Sequence, residues 1–164
     1  MTITSQGHTA PKTYERDGTG WISFGALLII IAIIYLTTPN ILRAINTFFH
    51  DFQLAQIFDD FKWFVPSTTH PVVYGAAQKF CYLFGAVQIG ILALKFAKRA
   101  LIQAKAETAS GIVFWFGLGY ILGLLERAGL SWASFLAYLI ILVGASIIMR
   151  SAILLFFYRD ERWT

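Results

Sequence analysis

Charged residues and cysteine are both scarce in this chain of 164 residues. Only 13% of the residues are charged, whereas soluble globular proteins typically have about 25%. Cys81 is the single cysteine, which excludes an intrachain disulfide and an all-cysteine metal site. Outside the apolar runs no stretch is long enough to bury a second core. We therefore expect one domain, and a domain built for an apolar environment.

Sequence signatures of catalysis are also missing. The chain has no G-x-S-x-G, no glycine-rich phosphate loop, and no cysteine next to a histidine. No apolar run contains a histidine, which argues against a haem held inside the bilayer. We predict that the chain is not an enzyme, that it has no cofactor, and that Cys81 is a small buried apolar residue.

A metal site in the loop after the first apolar run is a weaker possibility. His50 and His70 lie there with Asp51, Asp59 and Asp60, and imidazole and carboxylate are metal ligands. Twenty residues separate the two histidines, however, and no compact motif such as H-E-x-x-H is present. We predict no metal site and interpret both histidines as solvated or interfacial.

What the chain has in abundance is apolar sequence, 57% of all residues. Four runs can cross a bilayer, since a hydrocarbon core of about 30 Å needs roughly 20 helical residues, and none alternates as a barrel strand would. These runs cover residues 21–38, 72–96, 109–125 and 132–149. The sequence predicts an all-α fold, a four-transmembrane-helix bundle over residues 21–158. A polar tail (1–20) precedes it and a charged end (159–164) follows it.

An amphipathic interfacial segment, residues 41–64, is predicted between helices 1 and 2. Pro39 removes a helical donor and disfavours helical geometry at Thr38, so the first helix should break or kink there. Beyond it, apolar residues recur at roughly helical spacing, which predicts one or two helices lying on the membrane. Its aromatic side chains would anchor it, bind a partner, or cover an outer-leaflet cavity. The predicted partner or lipid surface comprises Phe48, Phe49, Phe52, Phe58, Phe61 and Trp63.

The distribution of basic residues predicts the topology. With the amino terminus inside, nine of the thirteen lysines and arginines fall on the inner side. The outer four are Arg43, Lys62, Lys79 and Arg127. Because basic residues accumulate in cytoplasmic loops, we predict a multi-pass protein of the cell membrane with both termini cytoplasmic. No folded soluble surface gathers the basic residues, so we predict no nucleic-acid partner.

A polar group within the second apolar run is the candidate functional site. Lys79 lies about two turns inside the run, where a charge costs free energy unless it is paired, hydrated or able to reach the interface. The candidate polar intramembrane site comprises Gln78, Lys79, Tyr82, Gln88 and Glu126. The alternative is that Lys79 merely extends its ammonium group to the outer interface. The glycines of the third run, such as Gly119 and Gly123, favour close helix packing within the chain.

Three short motifs resemble those of a known group of proteins. They are Tyr35 to Asn40 at the end of the first run, Gln78 to Cys81 in the second, and Ala106 to Gly117 leading into the third. In order and setting they resemble small four-span integral membrane proteins of unknown function from archaea. The resemblance covers about residues 21–158 and implies the four-span topology alone, because those proteins have no assigned activity.

Two functions fit these features. The first is a non-enzymatic accessory or scaffold component of a membrane assembly, with lipids and other membrane subunits, or itself, as partners. Little embedded polarity and the aromatic interfacial segment favour it. The alternative is a small transporter or oligomeric channel with a polar site around Lys79.

Overall fold

The computed structural model is mostly helical and adds one β-hairpin. It describes residues 19–58, 61–127 and 129–160, with the side chains of 21–54, 64–127 and 129–157. The elements are α1 (Thr19–Thr37), α2 (Ile41–His50), β1 (Phe52–Phe58), β2 (Phe61–Pro66), α3 (Pro71–Ala97), α4 (Ile102–Glu126) and α5 (Trp132–Asp160). Each of the four apolar runs is therefore helical. The predicted tail lies outside the described residues except for its last two positions, and so do residues 161–164.

The break after α1 lies where Pro39 predicts it. The α1 backbone ends in a hydrogen bond from Thr38 N–H to the Ile34 carbonyl. Asn40 then takes the left-handed conformation, with φ of 58°, which asparagine tolerates better than most residues. Helix α2 leaves this turn at 93° to α1. The predicted break is confirmed, and α2 runs across the end of α1 rather than extending it.

Helix α2 presents apolar residues in two directions. Ile41 is buried and Phe48 is half-buried against the rest of the protein, whereas Leu42, Ile45 and Phe49 are exposed. These two sets adjoin around the helix, and the polar residues occupy the remaining side. This arrangement is typical of a helix lying in a membrane interface.

The second half of the predicted interfacial segment is not helical. Strands β1 and β2 pair antiparallel, with Phe52 opposite Pro66 and Leu54 opposite Phe64. The expectation of helix over residues 41–64 is therefore correct only up to His50. Over so short a run, the aromatic residues fit a strand period of 2 residues as well as a helix period of 3.6 residues. Pairing of the two strands provides hydrogen-bond partners for backbone groups that one extended strand would leave unpaired.

The long helices pack side by side in the order α1, α3, α4, α5. The pair α3 and α4 makes the most extensive contact, followed by α4 with α5 and then α1 with α3; α2 also packs against α3. Helix α5 meets α3 at its Trp132 end, where Tyr74 and Trp132 have ring centroids 6.4 Å apart. The helices thus form a row in which each packs mainly on its neighbour, and the predicted four-transmembrane-helix bundle is not confirmed.

The apolar core lies between α3, α4 and α5, on the side of the molecule that carries the hairpin. It is formed by Tyr74, Cys81, Ile121, Leu122, Leu125 and Phe135. Cys81 is 2% exposed, so the prediction of a small buried apolar residue is confirmed. Phe80, Trp115 and Trp132 pack around this cluster.

Within the described ranges, three helices are long and apolar enough to cross a membrane, namely α3, α4 and α5. A fourth crossing is present if α1 and α2 are counted together as one bent span. Helix α3 has 27 residues, about 40 Å at 1.5 Å per residue, which exceeds a hydrocarbon core of about 30 Å. The chain is a membrane protein.

Candidate functional site

Helices α3 and α4 meet along a face on which five glycines lie opposite larger side chains. We call this face the glycine seam. From the hairpin side, its five pairs are Gly75 with Glu126, Gln78 with Gly123, Tyr82 with Gly119, Gly85 with Phe116, and Gln88 with Gly111. The α3 members recur every three or four residues, which is the spacing of one helix face. A large side chain from one helix therefore fills the notch that a glycine leaves in the other.

The contacts along the glycine seam are very close. A β-carbon added at Gly119 would lie 2.8 Å from the Tyr82 ring, and one added at Gly75 would lie 2.6 Å from Glu126 Oε1. At Gly123 the Gln78 carboxamide is closer still. Carbon contacts are normally about 3.5–4.0 Å, so a larger residue requires the opposing side chain to move. Glycine thus admits the opposing side chain at each position, and the constraint is strictest at Gly85 and Gly119, where the nearest atoms belong to aromatic rings.

The seam brings together four of the five residues of the predicted polar intramembrane site. Gln78, Tyr82 and Gln88 project from α3, and Glu126 from the end of α4, so all four lie along one helix contact. Each occupies a glycine notch. The seam is therefore polar as well as close-packed, and its four polar side chains are half-buried.

Lys79 does not join this group. Its side chain is exposed on α3, and it makes no hydrogen bond or ion pair with any residue that the structure describes. Four small residues on the same face of α3, Ala86, Gly90, Ala93 and Ala97, are also exposed. Lys79 thus lies on an uncovered face beside the seam, not at its centre.

On the hairpin side, the Asp51 carboxylate joins the end of α2 to the segment before α3. Its Oδ2 accepts hydrogen bonds from Thr68 N–H at 2.8 Å and Thr68 Oγ1 at 2.7 Å, and lies 2.8 Å from His70 Nε2. Its Oδ1 accepts a short hydrogen bond from Ser67 Oγ. We call this set the Asp51 clamp. Because a carboxylate only accepts, His70 Nε2 is the donor in this contact.

The Asp51 clamp holds its carboxylate in the charged form. Hydrogen bonds from the Ser67 hydroxyl first, then from Thr68 and His70, lower the pKa of Asp51 far below its usual range. Donors that bind the charged form of a carboxyl group favour that form. Asp51 therefore acts as a structural acceptor at neutral pH.

An aromatic cluster backs the Asp51 clamp. The Phe48 ring lies edge-on to His70 at 5.3 Å, to Phe52 at 4.9 Å and to Tyr74 at 6.0 Å between centroids. Trp132 of α5 continues the cluster, 6.1 Å from Phe52. Edge-to-face pairs at such distances are favourable. The cluster attaches α2 and the hairpin to the helices.

The predicted partner or lipid surface is thus divided by the fold. Phe48 and Phe52 belong to the aromatic cluster and are half-buried. Phe49 is 70% exposed. The side chains of Phe58, Phe61 and Trp63 lie outside the described set. Leu42, Leu54 and Phe64 of the same part of the chain are also exposed. The sequence analysis could not distinguish the aromatic residues that face outward from those that face inward.

A cleft of about 370 Å³ lies between α2 and the start of α3. Its polar lining comprises Asn40, Arg43, Thr47, Thr69 and His70, and its apolar lining comprises Pro39, Ala44, Pro71, Val72 and Val73. The volume lies within the range of small-ligand sites. The sequence interpretation missed this cleft, although Arg43 and Thr47 are four residues apart on the polar side of α2.

At the opposite side of the molecule, polar contacts join the ends of the helices. Lys95 Nζ donates to Thr108 Oγ1 at 2.7 Å and to the Ala104 carbonyl at 3.1 Å. Arg150 of α5 pairs with Glu107 of α4, with Nη2 and Oε1 2.8 Å apart. The Lys95 hydrogen bonds extend the contact between α3 and α4. The Arg150–Glu107 ion pair adds one polar contact to the packing between α4 and α5.

Within residues 19–58, 61–127 and 129–160, no group of three histidine, cysteine or acidic side chains is arranged to hold a metal ion. His70 and Asp51 meet, but His50 is not part of the Asp51 clamp.

Comparison with known proteins gives no relative: no family model matches the chain, and neither a curated protein nor a solved structure is significantly similar to it. The resemblance to small archaeal four-span proteins stays a prediction.

Proposed function

We propose that this chain is a non-enzymatic integral membrane protein that acts as an accessory or scaffold component of a membrane assembly. Its partners are membrane lipids and other membrane subunits or further copies of itself. The polar groups of the glycine seam and of the Asp51 clamp support this role, because they take part in packing and hydrogen bonding within the chain.

One observation carries the proposal, namely the uncovered surface of α5. From Leu136 to Phe157 no α5 residue is buried. The outward side chains include Ile140 at 73% exposure and Phe156 at 77%. A helix at the end of a row has one side packed and the rest open, and in a membrane such a surface contacts lipid or another helix. The row offers a lateral surface of this kind.

We propose that all four apolar helices cross the cell membrane and that both termini are cytoplasmic. The right-angle bend between α1 and α2 supports this topology, because it lets α1 cross while α2 lies in the interface. The hairpin is then outside, and the α3–α4 turn, with Lys98 and Arg99, is inside. The excess of basic residues on the inner side agrees with it.

Native mass spectrometry of the protein extracted gently from its own membrane tests the proposal. We expect a stable complex with other membrane subunits or with further copies. Gly144→Leu on α5 and Gly90→Leu on α3 then locate the interface, because neither glycine has an atom near its added β-carbon in the monomer. Loss of the partner with one variant and not the other identifies the face. A monomer that carries only bulk lipid would contradict the proposal.

A second candidate, an oligomeric channel or small transporter, is favoured by the position of Lys79. Copies that packed through the exposed face of Ala86, Gly90, Ala93 and Ala97 would bring their Lys79 side chains towards a common axis. Flux through proteoliposomes tests it, with Lys79→Met compared with Lys98→Met, another exposed lysine that lies outside the helices. Loss of flux in the first variant alone would support the channel, and equal flux in both would remove Lys79 from the mechanism.

A further inference from the structure

The cleft between α2 and α3 contains hydrogen-bond donors that the protein itself leaves unused. Arg43 and Asn40 project from the α2 side and Thr69 from the α3 side. Within the part of the chain that the structure describes, none of these three side chains makes a hydrogen bond or ion pair. Donors without partners that line one cleft are available to an acceptor from outside.

The cleft lining contains an arginine and no carboxylate among its described residues. Among the described residues of its lining, Arg43 is the only arginine, lysine or carboxylate. The nearby carboxylate, Asp51, already accepts hydrogen bonds from Ser67, Thr68 and His70. The ligand that complements this cleft therefore carries negative charge and several acceptor oxygens, and the guanidinium fork of an arginine matches phosphate.

The apolar part of the lining agrees with a ligand from the membrane. Val72 and Val73 form a wall at the start of α3, and Val72 is 45% exposed. In the topology proposed above, α2 lies in the interface across the end of α1, which places the cleft at the depth of lipid headgroups. A lipid whose phosphate binds at Arg43 can therefore place its apolar part along this wall.

We propose that the cleft binds a phosphate group through Arg43, with Thr69 and Asn40 as further donors. The phosphate comes either from a phospholipid headgroup or from free phosphate in solution. This site is independent of the accessory-subunit proposal, which remains if the site fails.

The test is a binding titration of the full-length protein, delipidated in detergent and followed by native mass spectrometry. The probes are short-chain phosphatidylglycerol and inorganic phosphate, with acetate as a carboxylate competitor. Arg43→Gln removes the cleft cation, and Arg127→Gln is the matched control, since Arg127 is an exposed arginine outside the cleft. Circular dichroism of each variant verifies that helicity is unchanged.

We expect Arg43→Gln to weaken phosphate binding about tenfold or more, as the loss of a charge-assisted hydrogen bond implies, and Thr69→Val to weaken it less. Arg127→Gln should bind like the unaltered protein. Lipid binding that inorganic phosphate does not displace identifies a headgroup site, and displacement at equal concentration identifies a free-phosphate site. Unchanged binding by Arg43→Gln, equal losses in both arginine variants, or equally effective competition by acetate would overturn the proposal.

Discussion

The glycine seam and the outward surface of α5 are both parts of apolar helices, yet they behave in opposite ways. α5 is the more apolar of the two regions, and from Leu136 to Phe157 none of its residues is buried. The seam contains two glutamines, a tyrosine and a glutamate, and it lies in the most extensive contact between two of the described helices. Hydrophobicity places a helix in the membrane without deciding what it packs against.

The physical reason lies in the solvent. Lipid tails are as apolar as leucine or isoleucine side chains, so burying them against protein gains little. Close approach and dispersion contacts remain as the driving forces, and both depend on shape. The alternation of glycine and large side chains along the seam provides this fit. The far side of α5 has bulky residues at most positions, and the described part of the chain presents no complementary surface to it.

The largest expected effect comes from filling one seam notch. Gly119→Leu should destabilise the protein by about 1–3 kcal/mol, because the added side chain collides with the Tyr82 ring and overpacks the seam. Gly144→Leu on α5 should change stability by less than about 0.5 kcal/mol. Thermal unfolding in detergent compares the two variants, and equal losses would show that the seam is no more closely packed than the α5 surface.

A smaller contrast lies within the seam itself. Gly119→Ala meets a rigid ring, whereas Gly123→Ala meets the end of the flexible Gln78 side chain, which can move away. Alanine also gains about 1 kcal/mol of helix propensity over glycine. We expect Gly123→Ala to be near neutral and Gly119→Ala to lose about 1 kcal/mol or more in the same unfolding measurement. The reverse order would contradict the assigned contacts.

The Asp51 clamp tests whether the hairpin side depends on the seam. Asp51→Asn replaces one acceptor oxygen by a donor, so the Thr68 amide should exchange hydrogen roughly tenfold faster while α3 and α4 amides keep their protection. Hydrogen exchange at neutral pH measures both. Faster exchange throughout α3 would mean that the clamp and the seam unfold together.

The clamp also has a defined pH dependence. A carboxyl group whose pKa is lowered by folding adds stability above its unfolded pKa, and that stability is lost as pH falls through the folded value. Since the pKa of Asp51 is lowered, Thr68 protection, corrected for intrinsic exchange, should persist from pH 7 to below pH 4. Loss of this protection near pH 5, with no change in Asp51→Asn, would show that Asp51 is not held in the charged form.

The smallest effect is expected where α5 is joined to α4 by charge. Glu107→Gln removes the ion pair with Arg150. The Glu107 side chain is 50% exposed and the Arg150 side chain is 44% exposed. Such exposed pairs contribute little, so stability should fall by less than about 0.5 kcal/mol. A loss as large as that of Gly119→Leu would mean that charge, rather than shape, attaches α5.

The structural features that could be predicted from the sequence depend on residues that are close together in the chain. The apolar runs gave the four long helices, because length and composition suffice to identify a membrane helix. Pro39 located the break, since the missing amide hydrogen acts on its own turn. The buried position of Cys81 was expected because a free cysteine in an apolar run behaves as a small apolar residue.

The remaining features depend on residues far apart in sequence. The hairpin was interpreted as helix because its aromatic spacing fits both periods over so few residues. The predicted polar site grouped Lys79 with its sequence neighbours, but pairing with α4 selects Gln78, Tyr82 and Gln88 and leaves Lys79 outside. The Asp51 clamp joins residues 16 to 19 positions apart, and the cleft forms only once α2 turns back over α3.

The amino-acid sequence by itself determined that this is a helical membrane protein with a break at Pro39, because hydrophobic length and proline geometry act locally. Only the tertiary structure decided which glycines meet which side chains, which aromatic residues turn inward, and where unpaired donors line a cleft. Those choices depend on the register between helices, and register is set by shape complementarity across the whole contact rather than by any single stretch of sequence.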